Sequence, residues 1–277
     1  MKKIIFKNLL GLALILLFNP TGFSQVQISG LTKYRKGNEE PKKITKNFTG
    51  GKKIFIEVEG AGLVIEGHNG NDVVIETEDF EDPPERAKGL RALYNTAEDN
   101  TGIGLQIDVA SGVMTIKKAS HEDMEFHLKV PAGVSIEIEE QGWQGDDFHI
   151  KGVKGEIEVK GKGSNITIDD VTGPVVANTT SGDITVVFTS LNQDKPTSIS
   201  NTSGFIDVTL PSNTKADLVL KSVTGEIYTD LDIKFETNEK QGDMRRIGGH
   251  NLKGTINGGG VEVALKTISD DIYLRKK

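Results

Sequence analysis

Apolar residues alternate with polar ones along most of the chain. Ile54, Ile56 and Val58 open the pattern, and Leu105, Ile107 and Val109 repeat it. It runs on through Phe126, Leu128 and Val130, then Val134, Ile136 and Ile138, then Ile157 and Val159. Ile166 and Ile168, Ile184 and Val186, and Ile206, Val208 and Leu210 carry it further. Leu218 and Leu220, then Val261, Val263 and Leu265, then Ile272 and Leu274 complete it, with Glu, Lys, Thr and Asp between. Successive side chains of a strand point to opposite faces. A period of two with β-branched residues and Gly- or Asn-rich breaks therefore predicts strands with one face in a core. Only Glu85 to Tyr94, after Pro83-Pro84, has a helical composition, and Gly89 weakens it. The fold is predicted to be all-β.

A repeat overlies the alternation. Thr180-Ser181-Gly182-Asp183-Ile184 recurs as Thr202-Ser203-Gly204-Phe205-Ile206, as Val223-Thr224-Gly225-Glu226-Ile227, and as Ile268-Ser269-Asp270-Asp271-Ile272. Gly155-Glu156-Ile157 is an earlier copy without the Ser/Thr. Gly182 to Gly204 spans 22 residues and Gly204 to Gly225 spans 21. That period is too short for a propeller blade, and a β-sandwich has no reason to repeat one turn at fixed spacing. A single-stranded parallel β-solenoid does: each coil of about 20 residues places an equivalent glycine at one corner. Gly155, Gly182, Gly204 and Gly225 are the expected corners. Ile157, Ile184, Ile206, Ile227 and Ile272 are the expected core ladder, stacked at about 4.8 Å per coil. Few large aromatics are needed for so narrow a core, in keeping with 6% aromatic content.

The beginning of the chain reads differently. Lys2, Lys3 and Lys7 precede an apolar run from Leu9 to Phe18, and Gly22-Phe23-Ser24 has the small-x-small form of a cleavage site. Ten apolar residues rise only about 15 Å as a helix, half the hydrocarbon core, so the segment predicts a signal peptide and not an anchor. The expected layout is a signal peptide over 1–24, an N-terminal lead or cap over 25–50 and a solenoid domain over 51–277. Loss of the three lysines takes the net charge from −7 to −10. An acidic chain does not favour nucleic acid, which demands clustered Lys and Arg. With no cysteine there is no disulfide framework, thiolate zinc site or cysteine nucleophile. No transmembrane segment is expected after signal removal, and the protein is expected periplasmic, on the cell surface or secreted.

A resemblance emerges at particular residues. Leu128-Lys129-Val130-Pro131, then Gly133 and Val134 to Ile138, resembles the "VP-x-G" step of the "putative adhesin" family, and Val208-Thr209-Leu210-Pro211 before Ala216 to Leu220 is similar. Leu252 to Gly260, then Val261 to Leu274, resembles the family's usual terminus, except that Asp270 stands where that terminus normally has glycine. The resemblance covers about residues 50–275. It implies a secreted bacterial protein of β-helix-like fold, and the departure at Asp270 implies a looser corner in a capping last coil.

Candidate chemistry is sparse. Asp146-Asp147, Asp169-Asp170 and Asp270-Asp271 are adjacent acids, and β-helical enzymes use carboxylates projecting from parallel strands. Neighbours on a strand point to opposite faces, however, so a sequential pair does not converge. Asp170, Asp183 and Glu226 could align across coils instead. The five histidines have no metal-site spacing, so no metal and no cofactor are expected. Outward aromatics are better candidates. Tyr228 and Tyr273 occupy one repeat position, and Trp143 lies in a Gly-Trp-Gln-Gly turn. Two charged excursions, 79–101 and 234–253, interrupt the coils, and the second carries the only adjacent arginines, Arg245 and Arg246. Arg245, Arg246, Tyr228, Tyr273 and Trp143 are the expected binding residues, toward a glycan or an envelope protein. The expectation is an exported, non-enzymatic structural or adhesive protein. A β-helical carbohydrate-active enzyme and an envelope-signalling partner are the alternatives.

Overall fold

The computed structural model describes residues 23–28, 31–36, 41–78, 80–90, 94, 97–143, 145–235 and 250–277. The expected signal segment lies outside these except for Phe23 and Ser24, and Arg245 and Arg246 lie outside them entirely. The chain forms two compact units, Met1–Glu40 and Pro41–Lys277. In the first, β1 (Phe23–Ile28) and β2 (Leu31–Lys36) pair antiparallel.

Among the described residues, the second unit is all-β except for one short 3₁₀ turn. Its strands begin with β3 (Lys42–Asn47), β4 (Lys53–Val58), β5 (Ala61–His68), β6 (Asp72–Thr77), β7 (Leu105–Ala110) and β8 (Val113–Lys118). There follow β9 (Met124–Pro131), β10 (Ser135–Glu140), β11 (Phe148–Lys151), β12 (Ile157–Lys160), β13 (Ile166–Val171) and β14 (Val175–Ser181). The rest are β15 (Ile184–Phe188), β16 (Thr197–Ser203), β17 (Ile206–Leu210), β18 (Ala216–Ser222), β19 (Ile227–Thr229), β20 (Lys234–Phe235), β21 (His250–Ile256), β22 (Val261–Thr267) and β23 (Ile272–Lys276). In the stretch of helical composition, Glu85 to Tyr94, the described residues form only a 3₁₀ turn at Glu85–Ala87, with none of its side chains buried, and Gly89 follows at φ +78°. Without an apolar stripe to bury, helical composition alone does not hold a helix.

Two sheets face each other across the core. The first runs β20-β21-β18-β22-β16-β14-β12-β10-β4-β8-β7 and the second β19-β23-β17-β15-β13-β11-β5-β9-β6-β3. Each coil gives one strand to each sheet, and eight such pairs stack in parallel register from β8–β9 to β18–β19. The fold is therefore solenoid-like, but the sheets are mixed. Antiparallel β7, β6 and β3 close one end, and antiparallel β21 and β20 extend the first sheet at the other. Antiparallel strands need only short turns, so each end is finished without another full coil.

Strict alternation sends every second side chain inward. In the first sheet Ile116, Ile56, Ile138, Val159, Ala177, Ile199, Leu265 and Leu220 form one continuous buried row. In the second, Phe126, Leu63, Phe148, Ile166, Ile184, Ile206 and Ile272 do the same, with half-buried Ile227 at the end. Two expectations change here. Ile157 is fully buried but belongs to the first sheet, between Ile136 and Val175. Each coil has two corners; Gly182, Gly204 and Gly225 open second-sheet strands, whereas Gly155 opens a first-sheet strand at the other corner. Ile227 does not touch Ile206's strand either: Ile272 lies between them. The chain sets β18–β19 two places beyond β16–β17, and β22–β23 fills the place between. The last coil in sequence is thus not the last coil in space, and Asp270 lies at an internal corner. The same transposition occurs at the other end, where β4–β5 lies between β8–β9 and β10–β11.

Candidate binding surface at the corner ridge

Where each first-sheet strand turns into its second-sheet partner, the corners stack into a ridge. Close approach between coils sets the residue type. A Cβ on Gly204 would lie 2.4 Å from the Gly182 carbonyl oxygen, and one on Gly225 2.1 Å from that of Asp270. Gly182 and Gly204 also have φ of +123° and +114°, which side chains rarely adopt. Gly155 packs on the Val134 carbonyl in the opposite row of corners.

Polar side chains tie the ridge together from both sides. Outside, Asn165 accepts the Asp183 N–H at 2.8 Å, Asp183 accepts the Phe205 N–H at 3.0 Å, and Asp271 accepts the Glu226 N–H at 2.8 Å. Asn165 donates to Asp147 at 3.0 Å. Inside, buried Thr179 faces Asn201 and buried Thr267 faces Ser222. Asn201 Nδ2 donates to the Gly204 and Phe205 carbonyls, and Ser222 Oγ accepts the Gly225 N–H at 2.9 Å. Asn201 Oδ1 is buried without a partner among the described residues. On the β10–β11 coil the inward place belongs to Glu140. It is 4% exposed and accepts the backbone N–H groups of Lys162, Gly163 and Ser164 and the Ser164 hydroxyl.

These contacts account for the acids. In Asp146-Asp147, Asp169-Asp170 and Asp270-Asp271 the first carboxylate accepts the backbone N–H of the second, each at 2.9 Å. Asp170, at φ +54°, stands at the pairing irregularity near the end of β13 and binds the Thr189 hydroxyl. Asp183 precedes β15 at its start. The alignment of Asp170 with Asp183 does not occur, because they lie at opposite ends of neighbouring strands.

On one slope of the ridge, outward residues of the second sheet form an aromatic group. Tyr228 and Tyr273 stack with ring centroids 5.4 Å apart at 12°, and Phe205 meets Tyr273 edge-on at 6.1 Å. Tyr228 is half exposed. The Tyr273 hydroxyl donates to Asp271 at 3.0 Å, and this bond first of all raises its pKa above the ordinary value. Arg275 lies over the Tyr273 ring at 5.3 Å while its Nε reaches both oxygens of Asp207 at 2.9 Å. Trp143 is 65% exposed on the same ridge, five coils from Tyr228, or about 24 Å.

On the other slope lies a groove of about 570 Å³ across β14, β16, β22 and β18. Asn178, Ser200, Lys266 and Lys221 form one wall, and Thr180, Thr202, Ile268 and Val223 the other. Sequence reading missed these residues. The signal was present, since Lys221-Ser222-Val223-Thr224 and Lys266-Thr267-Ile268-Ser269 are copies of one another.

No curated protein matches the chain. Among solved structures it is similar to a "putative cell adhesion protein" from Clostridium sporogenes, at 12% identity and TM-score 0.46, over 86% of this chain and all of that one. It is similar also to a "putative adhesin" from Bacteroides fragilis, at 10% and 0.38, over 87% and 98%. A "putative lipid binding protein" from Parabacteroides distasonis aligns at 10% and 0.27, over 87% and 98%. In sequence, the Toastrack DUF4097 profile matches residues 104–275, which include six of the eight coils outright and both slopes of the ridge. The chain belongs to the Toastrack DUF4097 family.

Proposed function

We propose that this is an exported, non-enzymatic protein of the bacterial envelope that holds a polysaccharide across the C-terminal part of the ridge. The observation that carries the reading is the Tyr228–Tyr273 stack, with Tyr228 exposed, and across the ridge from it a groove whose walls include hydroxyl and amide side chains. Aromatic faces cover the apolar face of a sugar ring, and Ser, Thr and Asn exchange hydrogen bonds with its hydroxyls. Support for a non-catalytic role comes from the acids: Asp147, Asp183 and Asp271 are engaged in bonds between coils. In this reading residues 1–24 are the export signal, 25–50 an N-terminal lead or cap that contributes β3, and 51–277 the binding domain. The parallel coils are the solenoid, and the antiparallel strands are the caps. Export rests on the basic, apolar and small-residue order of the first 24 positions.

The test is a panel of soluble polysaccharides against the purified protein, with Tyr228→Ala/Tyr273→Ala as the variant. Binding weakened about tenfold in a variant of unchanged melting temperature is the expected result. New reducing ends or unsaturated products, lost with Asp170→Asn or Asp183→Asn, would overturn the reading in favour of an enzyme.

A further inference from the structure

Outward residues cross the first sheet in register, and one row can be followed through eight strands. From β8 it reads Lys117, Glu57, Glu139 and Lys160, then Asn178, Ser200, Lys266 and Lys221. In the first four places Glu57 and Glu139 stand opposite one another, but each has a lysine on its other side. Lys117 lies 3.4 Å from Glu57, and Lys160 lies 2.7 Å from Glu139, 2.9 Å from Glu137 and 3.2 Å from Glu158. In the last two, Lys266 and Lys221 stand directly opposite one another on neighbouring strands, about 4.8 Å apart along the row. Neither has an ion-pair partner among the described residues. Asp217 and Glu262 share their outward face but lie four residues back, about 13 Å along the strands. Like charges set opposite one another destabilise a sheet. The cost falls here inside the groove, on a chain of net charge −7.

We infer that Lys221 and Lys266 form an anion site and that the polysaccharide in the groove is an acidic one, carrying carboxylate or sulfate groups. This deepens the proposed function and rests on it. Two ammonium groups at one strand spacing bracket a single anionic group with several donors. The groove crosses four strands, about 14 Å, a length suited to a few sugar units. Asn178, Ser200, Thr180 and Thr202 supply the hydroxyl-matching contacts next to the charges. A strongly acidic molecule is repelled by extended anionic surfaces such as bilayers or duplexes, whereas a short local site still recognises a flexible acidic chain.

The test uses polygalacturonate, dextran sulfate and neutral dextran with the full mature chain and with Lys221→Gln/Lys266→Gln. The parent should bind an acidic polymer and release it as salt is raised. The variant should bind about tenfold more weakly, lose most of the salt dependence, and melt no lower than the parent. The two acidic polymers separate carboxylate from sulfate recognition. Equal binding of dextran, or acidic-polymer binding undiminished in the variant, overturns the anion site and leaves the polysaccharide reading standing. No binding to any of the three removes both.

Discussion

The two halves of the outward face of the first sheet have one backbone and one register but differ in how their charges are paired. On β4, β8, β10 and β12, lysines and glutamates interleave; Glu137 alone takes Lys160 at 2.9 Å and Lys53 besides. Its carboxyl is held below the ordinary range, first by the hydrogen bond from Lys53, against burial and with help from Lys160. Lys160 is raised above its ordinary range, first by Glu139 and then by Glu137. On β14, β16, β18 and β22 the same positions hold Asn178, Ser200, Lys221 and Lys266. The paired half shows what stability alone asks of the scaffold. The other half departs from it in the direction that lowers stability, and departures of that kind gather where a surface is used.

The comparison can be broken at several depths. Beneath the surface the halves should be indistinguishable, since Ile138 and Leu265 lie in one buried row. Ile138→Asp and Leu265→Asp should each cost more than about 4 kcal/mol, read by urea unfolding, because each forces a charge into a dry core. Next comes the inner corner. Glu140→Ala removes the acceptor of the Lys162, Gly163 and Ser164 backbone N–H groups, of which that of Ser164 is buried, and about 3 kcal/mol should be lost. Thr179→Ala at the equivalent corner should cost about 1 kcal/mol, since it removes one hydroxyl bond to the Ser181 carbonyl at 3.0 Å.

On the surface the effects are smaller and differ in sign. Glu137→Gln should cost about 1 kcal/mol at neutral pH. Glu137's folded pKa is depressed below 4.5, so its contribution is complete above that pH and vanishes as pH falls through the folded value. Melting curves of parent and variant should therefore converge in acid. Lys266→Glu should do the reverse at neutral pH: it installs an opposite charge beside Lys221 and should gain a few tenths of a kcal/mol while abolishing binding of acidic polymer.

The strands, the all-β class and the stacked Gly-x-Ile corners are legible in the sequence because each depends on local period and on backbone crowding at one residue. Coil order is not. Ile227 and Ile272 carry the same motif, and nothing local says that β22–β23 enters between β16–β17 and β18–β19. Nor does Gly155-Glu156-Ile157 reveal which of two similar corners it occupies. The pairing of Tyr228 with Tyr273 follows from repeat position, but their stacking requires that the two coils be neighbours, which transposition provides. Lys221 and Lys266 are 45 residues apart, and their opposition exists only through the same transposition.

Hydrogen exchange of the parent protein with and without polygalacturonate tests the central claim most directly. The account predicts added protection confined to 178–181, 200–203, 221–223 and 266–268, the strand ends that wall the groove. Protection centred instead on the paired face of β4, β8, β10 and β12, or around Trp143, would contradict it.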